Sequence, residues 1–202
     1  MDIDDDSVDA IRELINIGVG RAAGLLNEMT GTHIQLKVPE VKILEYSDLT
    51  GEKHVLDHDH LSAVMLRFEG SFSGISMLVF PPESAAILIT ALTGEKIEAP
   101  DLDALRVETL NEVGNIVNNA VMGSITNVLQ ERLTYSMPTY HEGSIGEILN
   151  SGRGGRYEWV ILAISQFNIS DLHVVGNILM IFEIGSLDSL LRKLRDSAGC
   201  AE

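Results

Sequence analysis

The chain of 202 residues is poor in the residues that build disulfides and in long apolar runs. Cys200 is its only cysteine, so an internal disulfide and a cysteine-rich metal site are excluded. We interpret Cys200 as a bystander rather than a nucleophile. No uncharged apolar run approaches the roughly 20 residues that span a bilayer. The N-terminal "MDIDDDSVD" also lacks the basic and apolar regions of a signal peptide. These absences predict a cytoplasmic protein.

Positive charge is scarce. The chain has 14 basic against 30 acidic residues and a formal net charge of −16 at pH 7. Such a surface repels phosphate backbones and anionic lipids, so nucleic acid and membrane partners are disfavoured. It favours a partner with a basic patch, although solubility alone is an alternative reason for the charge. The apolar fraction of 45% is that of an ordinary globular protein.

The first half of the chain predicts one long helix followed by strands and a short helix. Apolar residues recur at helical spacing over residues 6–29, with Asp6 or Ser7 as the expected N-cap and Gly31 as the expected end. The later segments are an extended stretch around Pro39, strands in "SAVMLRFEG" and "ISMLVF", and a short helix at 81–94.

The second half repeats this order. We predict a long helix from about Asp101 to Arg132 and an extended stretch around Pro138. Strands in "RYEWVILAIS" and "LHVVGNILMIFEI" follow, and then a closing helix, "SLDSLLRKLRDS", whose leucines we expect in the core. The order helix, strand, strand, strand, helix therefore occurs twice. We expect a single domain over 1–202, built of repeats at about 1–97 and 98–202.

The two halves match residue by residue at a constant offset. The matched residues, 99 positions apart, are Glu13 with Glu112, Asn16 with Asn115, and Pro39 with Pro138. An acidic residue stands four positions before each glutamate, Asp9 in the first half and Glu108 in the second. A lone Glu-x-x-Asn is common on exposed helices and carries no information. Two copies in register, each with a proline at the same distance, indicate an internal duplication with a shared role.

The repeated residue types suit the positioning of a water molecule. Residues three or four apart share one face of a helix, so each half is expected to display a row of acid, Glu and Asn beside its apolar stripe. A carboxamide is a poor base and nucleophile, but it can donate to and accept from a water and so fix its position. Phosphoryl transfer needs little beyond positioning and charge neutralisation. Such a row could supply a water to a phosphate held, with its metal, by another protein, while the glutamate grips a lysine there.

The segments "DAIRELINIGVGRAAGLLNEM" and "ETLNEVGNIVNNAVMGSITN" resemble the two signature helices of the CheC/CheX/FliY phosphatases. That family's signature is Asp or Ser, three residues, Glu, two residues, Asn, 22 residues and Pro. The first half matches it at Asp9, Glu13, Asn16 and Pro39. The second half matches it at Glu112, Asn115 and Pro138, with Glu108 in place of the usual Asp or Ser.

The resemblance covers the whole chain and is closest to CheC. It implies an α/β (α+β) fold that is a pseudo-twofold duplicated unit. In this fold, two long helices lie side by side and pack on an antiparallel β-sheet. It implies hydrolysis of the phospho-aspartate of a CheY-type response regulator. Asn16 and Asn115 would orient the attacking water, Glu13 and Glu112 would pair with the receiver's lysine, and Asp9 and Glu108 would contact the substrate more weakly. CheD is a further partner of such proteins. Mg²⁺ would belong to the receiver, and no metal or cofactor is expected on this chain.

Two other functions are open from the sequence. The chain is alternatively a non-catalytic module that docks a response regulator or a CheD-like deamidase, or a purely structural duplication. The glycines of the two long helices have a structural explanation in either case. We expect them to let the helices pack closely: Gly18, Gly20, Gly24, Gly114 and Gly123.

Three other motifs are weaker. "GVGRAAG" at 18–24 lies inside a predicted helix with no strand before it, so we reject a dinucleotide-binding loop. "HVLDHDH" at 54–60 has metal-ligating residue types, but we interpret it as a solvated connection. "SGRGGR" at 151–156 lacks the lysine and hydroxyl of a P-loop and is interpreted as a loop.

Overall fold

The computed structural model describes residues 3–31, 33–51, 56, 60–94, 104–151, 156–169 and 172–199. Its helices are α1 (Asp5–Thr30), α2 (Pro82–Thr93), α3 (Ala104–Leu129), α4 (Ile145–Ser151) and α5 (Ser186–Gly199), with a 3₁₀ helix at Tyr46–Gly51. Its strands are β1 (Ile34–Glu45), β2 (Leu61–Glu69), β3 (Gly74–Phe80), β4 (Thr134–Tyr135), β5 (Thr139–Gly143), β6 (Tyr157–Ile169) and β7 (Leu172–Glu183).

The strands form one antiparallel sheet whose order is β1-β6-β7-β3-β2-β4, with β5 also paired to β2. The two halves exchange strands in this sheet. The first strand of the first half, β1, pairs with β6, whereas β5 of the second half pairs with β2. The halves are also joined where β3 pairs with β7. The predicted fold, two long helices packed on an antiparallel sheet, is confirmed.

Helix α1 begins and ends at residues with clear physical roles. Asp4 is its N-cap, since the Asp4 carboxylate accepts a hydrogen bond from the Ser7 backbone N–H at 2.7 Å. The predicted N-cap, Asp6 or Ser7, is therefore wrong, because the helix starts earlier and Asp6 lies in its first turn. Gly31 ends the helix at φ 67°, and its N–H donates to the carbonyl of Asn27.

The sheet has an apolar layer on each side, because alternate residues of a strand point to opposite faces. In β2, Val64 and Phe68 join the cluster that includes α1, α3, α2 and α5, whereas Ala63 and Met65 join a second cluster. The second cluster is covered by the 3₁₀ helix and α4, neither of which the sequence predicted. Helix α4 has seven residues, too few to show a clear helical period.

The close approach of the long helices depends on Gly18 alone among the five glycines. A Cβ at Gly18 would lie 2.5 Å from the Cα of Val121, so only glycine lets α1 and α3 meet there. Gly114 instead allows α3 to approach the side chain of Val64 in β2. A Cβ at the remaining three positions would meet nothing within 4 Å, so the explanation by helix packing is wrong for Gly20, Gly24 and Gly123.

The other predicted elements are placed as follows. The extended stretch around Pro138 is divided into the short strands β4 and β5. The leucines of the closing helix, α5, are buried as expected: Leu187, Leu190, Leu191 and Leu194. Within the described ranges no helix combines the length and apolarity that a membrane span requires.

Several predictions fall on residues outside the described ranges. These are Cys200 and the loop at 152–155, together with His54, Asp57, His58 and Asp59. The division into repeats at 97/98 also lies there and stays a prediction.

Candidate functional site

The two rows of matched residues lie on the long helices. Asp9, Glu13 and Asn16 are exposed on α1. Glu108 and Glu112 are exposed on α3, and Asn115 is half-buried there. Each row borders the buried face that packs on the sheet, and the two helices are packed side by side through Gly18.

The Asn16 carboxamide pairs with the backbone of Val38 in β1. Its Nδ2 donates to the Val38 carbonyl at 3.4 Å, and its Oδ1 accepts from the Val38 N–H at 3.1 Å. Val38 lies where the register of β1 against β6 shifts, between Lys37 and Glu40. Asn16 thus supplies the hydrogen bonds that a regular ladder would give this residue. The spacing of 22 residues in the motif has a physical cause here, since Val38 stands directly before Pro39.

The Asn115 carboxamide has a different partner. Its Oδ1 accepts a hydrogen bond at 2.5 Å from Nδ2 of Asn119, one turn later in α3. The residue equivalent to Val38 is Met137, whose side chain is 83% exposed, whereas Val38 is 3% exposed. The residue equivalent to Asn119 in the first half is Gly20. The matched asparagines are therefore oriented by a strand backbone in one half and by a helix side chain in the other.

The charges around the two rows also differ. Asp9 forms an exposed ion pair with Arg12 on the first row. The residue equivalent to Arg12 is Asn111, which is neutral and whose Oδ1 is buried without a partner among the described atoms. In the part of the chain that the structure describes, no ion pair involves Glu108 or Glu112. The first row therefore has a local cation, at Arg12, that the second row lacks at the matching position.

No metal centre is visible in the ranges given above, where no three His, Cys, Asp or Glu residues group together. Of the ligating residue types in "HVLDHDH", only His60 is described, and it is exposed. An exposed carboxylate and carboxamide on a helix, without a metal ligand set, suit hydrogen bonding to a docked partner and to water.

Sequence reasoning missed the residues that hold the two asparagines and α3 in place. Val38 and Asn119 were not identified, because nothing local marks an apolar strand residue or a further asparagine as a partner. Asn118 was also missed, although it is fully buried. Its Oδ1 accepts from Ser76 at 2.9 Å and its Nδ2 donates to the Val64 carbonyl at 3.2 Å, which ties α3 to β3 and β2. An asparagine within the apolar stripe of α3 is a signal that could have revealed it.

The chain is similar in sequence to two proteins of Bacillus subtilis. It is 26% identical to the CheY-P phosphatase CheC over 153 residues, which is 74% of this chain and 73% of that protein. It is 22% identical to the flagellar motor switch phosphatase FliY over 199 residues, covering 96% of this chain. The matched region spans 50% of FliY. No family model matches the chain.

Solved structures share the fold at low sequence identity. FliY from Thermotoga maritima superimposes with a TM-score of 0.77 and 17% identity, covering 98% of this chain and all of that one. A chain of a FliG–FliM complex from H. pylori gives 0.70 and 13%, covering 94% and 100%. A CheX–CheY–BeF₃–Mg²⁺ complex from Borrelia burgdorferi gives 0.51 and 18%, covering 85% and 99%. The chain is homologous to CheC and FliY, and the resemblance to the CheC/CheX/FliY family is confirmed.

Proposed function

We propose that the chain is a phosphatase that hydrolyses the phospho-aspartate of a CheY-type response regulator and so terminates a chemotaxis or motility signal. The observation that carries this proposal is the pair of matched rows on α1 and α3, each with an accessible glutamate and a carboxamide one turn later. Homology to a protein named as a CheY-P phosphatase over three quarters of the chain supports it.

The proposed mechanism requires only positioning by this chain. Asn16 or Asn115 holds a water in line with the bond between phosphorus and the aspartyl oxygen of the docked receiver. The water oxygen forms a bond to phosphorus, the bond to the aspartyl oxygen breaks, and a proton of the water passes to the released phosphate. A carboxamide can hold this water because it has both an N–H and an oxygen lone pair beyond the bonds already made. No general base from this chain is needed.

The glutamates have the role of docking. Glu13 and Glu112 are exposed, so each can pair with a lysine of the receiver without disturbing the core. Asp9 and Glu108 add negative charge one turn earlier and would make weaker contacts. A net charge of −16 favours the approach of a basic surface to this chain. Mg²⁺ needed for phosphoryl transfer would be held by the receiver rather than by this chain.

A binding module without useful hydrolysis is the second candidate. It is favoured by the fold shared with a chain of a FliG–FliM complex, and by the engagement of the Asn16 carboxamide with Val38. Such a module would dock a response regulator or a CheD-like deamidase. Pro39 and Pro138 are structural residues of the motif in this reading, as they are in the phosphatase reading.

The test is the decay rate of a phosphorylated CheY-type receiver from the same organism, with Mg²⁺, in the presence of the wild-type chain and its variants. We expect wild type to accelerate decay, and Asn16→Ala combined with Asn115→Ala to abolish the acceleration. Removing one positioned water contact costs about 100-fold or more at each site. Gly24→Ala is the control, since a Cβ there meets nothing within 4 Å.

Two outcomes would reject the phosphatase proposal. If the double variant accelerates decay as wild type does, the asparagines do not act on the phosphate. If wild type binds the phosphorylated receiver but never speeds its decay, the binding module is the correct reading.

A further inference from the structure

The hydrogen bond between Asn119 and Asn115 has no counterpart in the first half of the chain. Asn119 is exposed, and its Nδ2 donates to Asn115 Oδ1 at 2.5 Å. The equivalent position in α1 is Gly20, which has no side chain to make such a bond. The duplication therefore carries one extra polar contact at the second asparagine.

We propose that Asn119 is a positioning residue of the second site, performing for Asn115 the task that the Val38 backbone performs for Asn16. This inference rests on the proposed function. A carboxamide can rotate about its Cβ–Cγ bond between two broad orientations, so oxygen and nitrogen exchange places unless a partner selects one. The Asn119 donor selects the orientation in which Asn115 Oδ1 faces Asn119 and both Nδ2 hydrogens face away from it.

The backbone that orients Asn16 is not in position for Asn115. Val38 is buried in a long strand, and both its N–H and its carbonyl bond to Asn16. Met137, its equivalent, lies between the short strands β4 and β5 and is almost fully exposed. In the described part of the chain, the bonds to Asn115 come from Asn119 and not from Met137. The second site thus depends on a side chain where the first depends on the sheet.

A structural role does not explain Asn119. It is exposed on α3, where asparagine is a poorer helix former than alanine. Its carboxamide contributes no core packing, and its hydrogen bond within the described residues goes to Asn115. The residue is therefore expected to matter for the orientation of Asn115 and not for the stability of the helix.

The test uses a protein in which only the second site can act. Asn16→Ala supplies this background, and Asn119→Ala is added to it. We expect kcat for hydrolysis of the phosphorylated receiver to fall about three- to tenfold, the effect of one net hydrogen bond, with KM and the melting temperature unchanged. Asn119→Gln retains the carboxamide and should restore part of kcat. Gly20→Ala on the Asn115→Ala background is the matched control and should leave kcat unchanged.

An NMR measurement on the free protein tests the hydrogen bond between Asn119 and Asn115 independently of catalytic activity. The side-chain amide resonances of Asn115 in the ¹⁵N spectrum should shift in Asn119→Ala, because its Oδ1 loses a hydrogen-bond donor, and those of Asn16 should not move. Unchanged Asn115 resonances would overturn the proposal.

The kinetic outcomes separate this inference from the proposed function. If wild type does not accelerate decay at all, the proposed function fails. If wild type and Asn16→Ala do accelerate decay but Asn119→Ala on that background has the same kcat, the inference alone fails. An Asn16→Ala protein without any activity would also overturn it, because the second site would then have no function to support.

Discussion

The two halves present the same asparagine on the same helical face, yet its surroundings differ. In the first half, Asn16 is bonded through both amide atoms to Val38, a buried residue of β1. In the second half, Asn115 is bonded through its oxygen to Asn119 of its own helix. The sheet decides this difference. Strand β1 runs along β6 for most of its length with one shift of register at Val38, whereas the matching segment of the second half is split into β4 and β5.

The two matched asparagines therefore keep equivalent places on α1 and α3 while the groups that support them differ. The place of a side chain on a helix follows from the spacing of residues along the chain. The group that orients this side chain can come from any neighbour in space. The strand backbone supplies it in one half and a helix side chain supplies it in the other. The two sites are thus expected to respond differently to substitution.

The largest expected effect concerns the unequal helix contact. Gly18 of α1 meets the backbone of α3 at Val121, whereas the equivalent residue of α3 is Val117, which is fully buried. Gly18→Val places a branched side chain where a Cβ alone would be 2.5 Å from a backbone atom. We expect the free energy of unfolding to fall by about 3 kcal/mol or more, because overpacking forces the helices apart. Urea denaturation measures this.

The control for that variant is Gly20→Ala on the same helix. A Cβ there meets nothing within 4 Å, so the free energy of unfolding should rise by about 1 kcal/mol. Equal effects of the two substitutions would show that α1 and α3 do not rely on close contact at Gly18.

A smaller effect is expected in stability, where substitution of Asn16 should cost more than substitution of Asn115. Asn16→Ala leaves the N–H and carbonyl of the buried residue Val38 without their partner, which costs about 1–3 kcal/mol. Asn115→Ala removes only a bond to the exposed Asn119 and should change stability by less than about 0.5 kcal/mol. Thermal unfolding of both single variants measures the difference. Similar losses of stability in the two variants would contradict the conclusion that a buried strand backbone bonds to Asn16 but not to Asn115.

The smallest effect concerns the start of the first long helix. Helix α1 has Asp4 as its cap with Asp5 and Asp6 in its first turn, whereas α3 has no acidic residue in its first turn. The hydrogen bonds from Ser7 lower the pKa of Asp4 below its ordinary value. Because the folded pKa is depressed, the stabilisation by Asp4 is present above the unfolded pKa and is lost as pH falls through the folded pKa.

Asp4→Ala should therefore lower the melting temperature at pH 7 and lower it less at pH 2. Asp4→Asn is the matched variant, since its side chain can still accept from Ser7 and does not titrate. A difference between wild type and Asp4→Ala that is independent of pH would show that the carboxylate has no part in capping α1.

Most elements of the fold could be predicted from local sequence patterns, and the elements that were not predicted have physical reasons. Helical periodicity and glycine at Gly31 and Gly94 located α1 and α2 within one or two residues. The strands were found from apolar runs between turn signals. Helix α4 and the 3₁₀ helix were missed because short segments carry no clear period, and the N-cap was misplaced by two or three residues because several aspartates precede α1.

The sequence by itself determined that two matched rows exist, since a spacing of 99 residues and a shared helical face need no knowledge of the sheet. Only the tertiary structure decided what orients each asparagine. Val38 and Met137 stand at equal distances from Asn16 and Asn115, but one is buried at a shifted register and the other is exposed between two short strands. Position on a helix depends on neighbours in the chain, whereas the partner of a carboxamide depends on which distant backbone the sheet brings beside it.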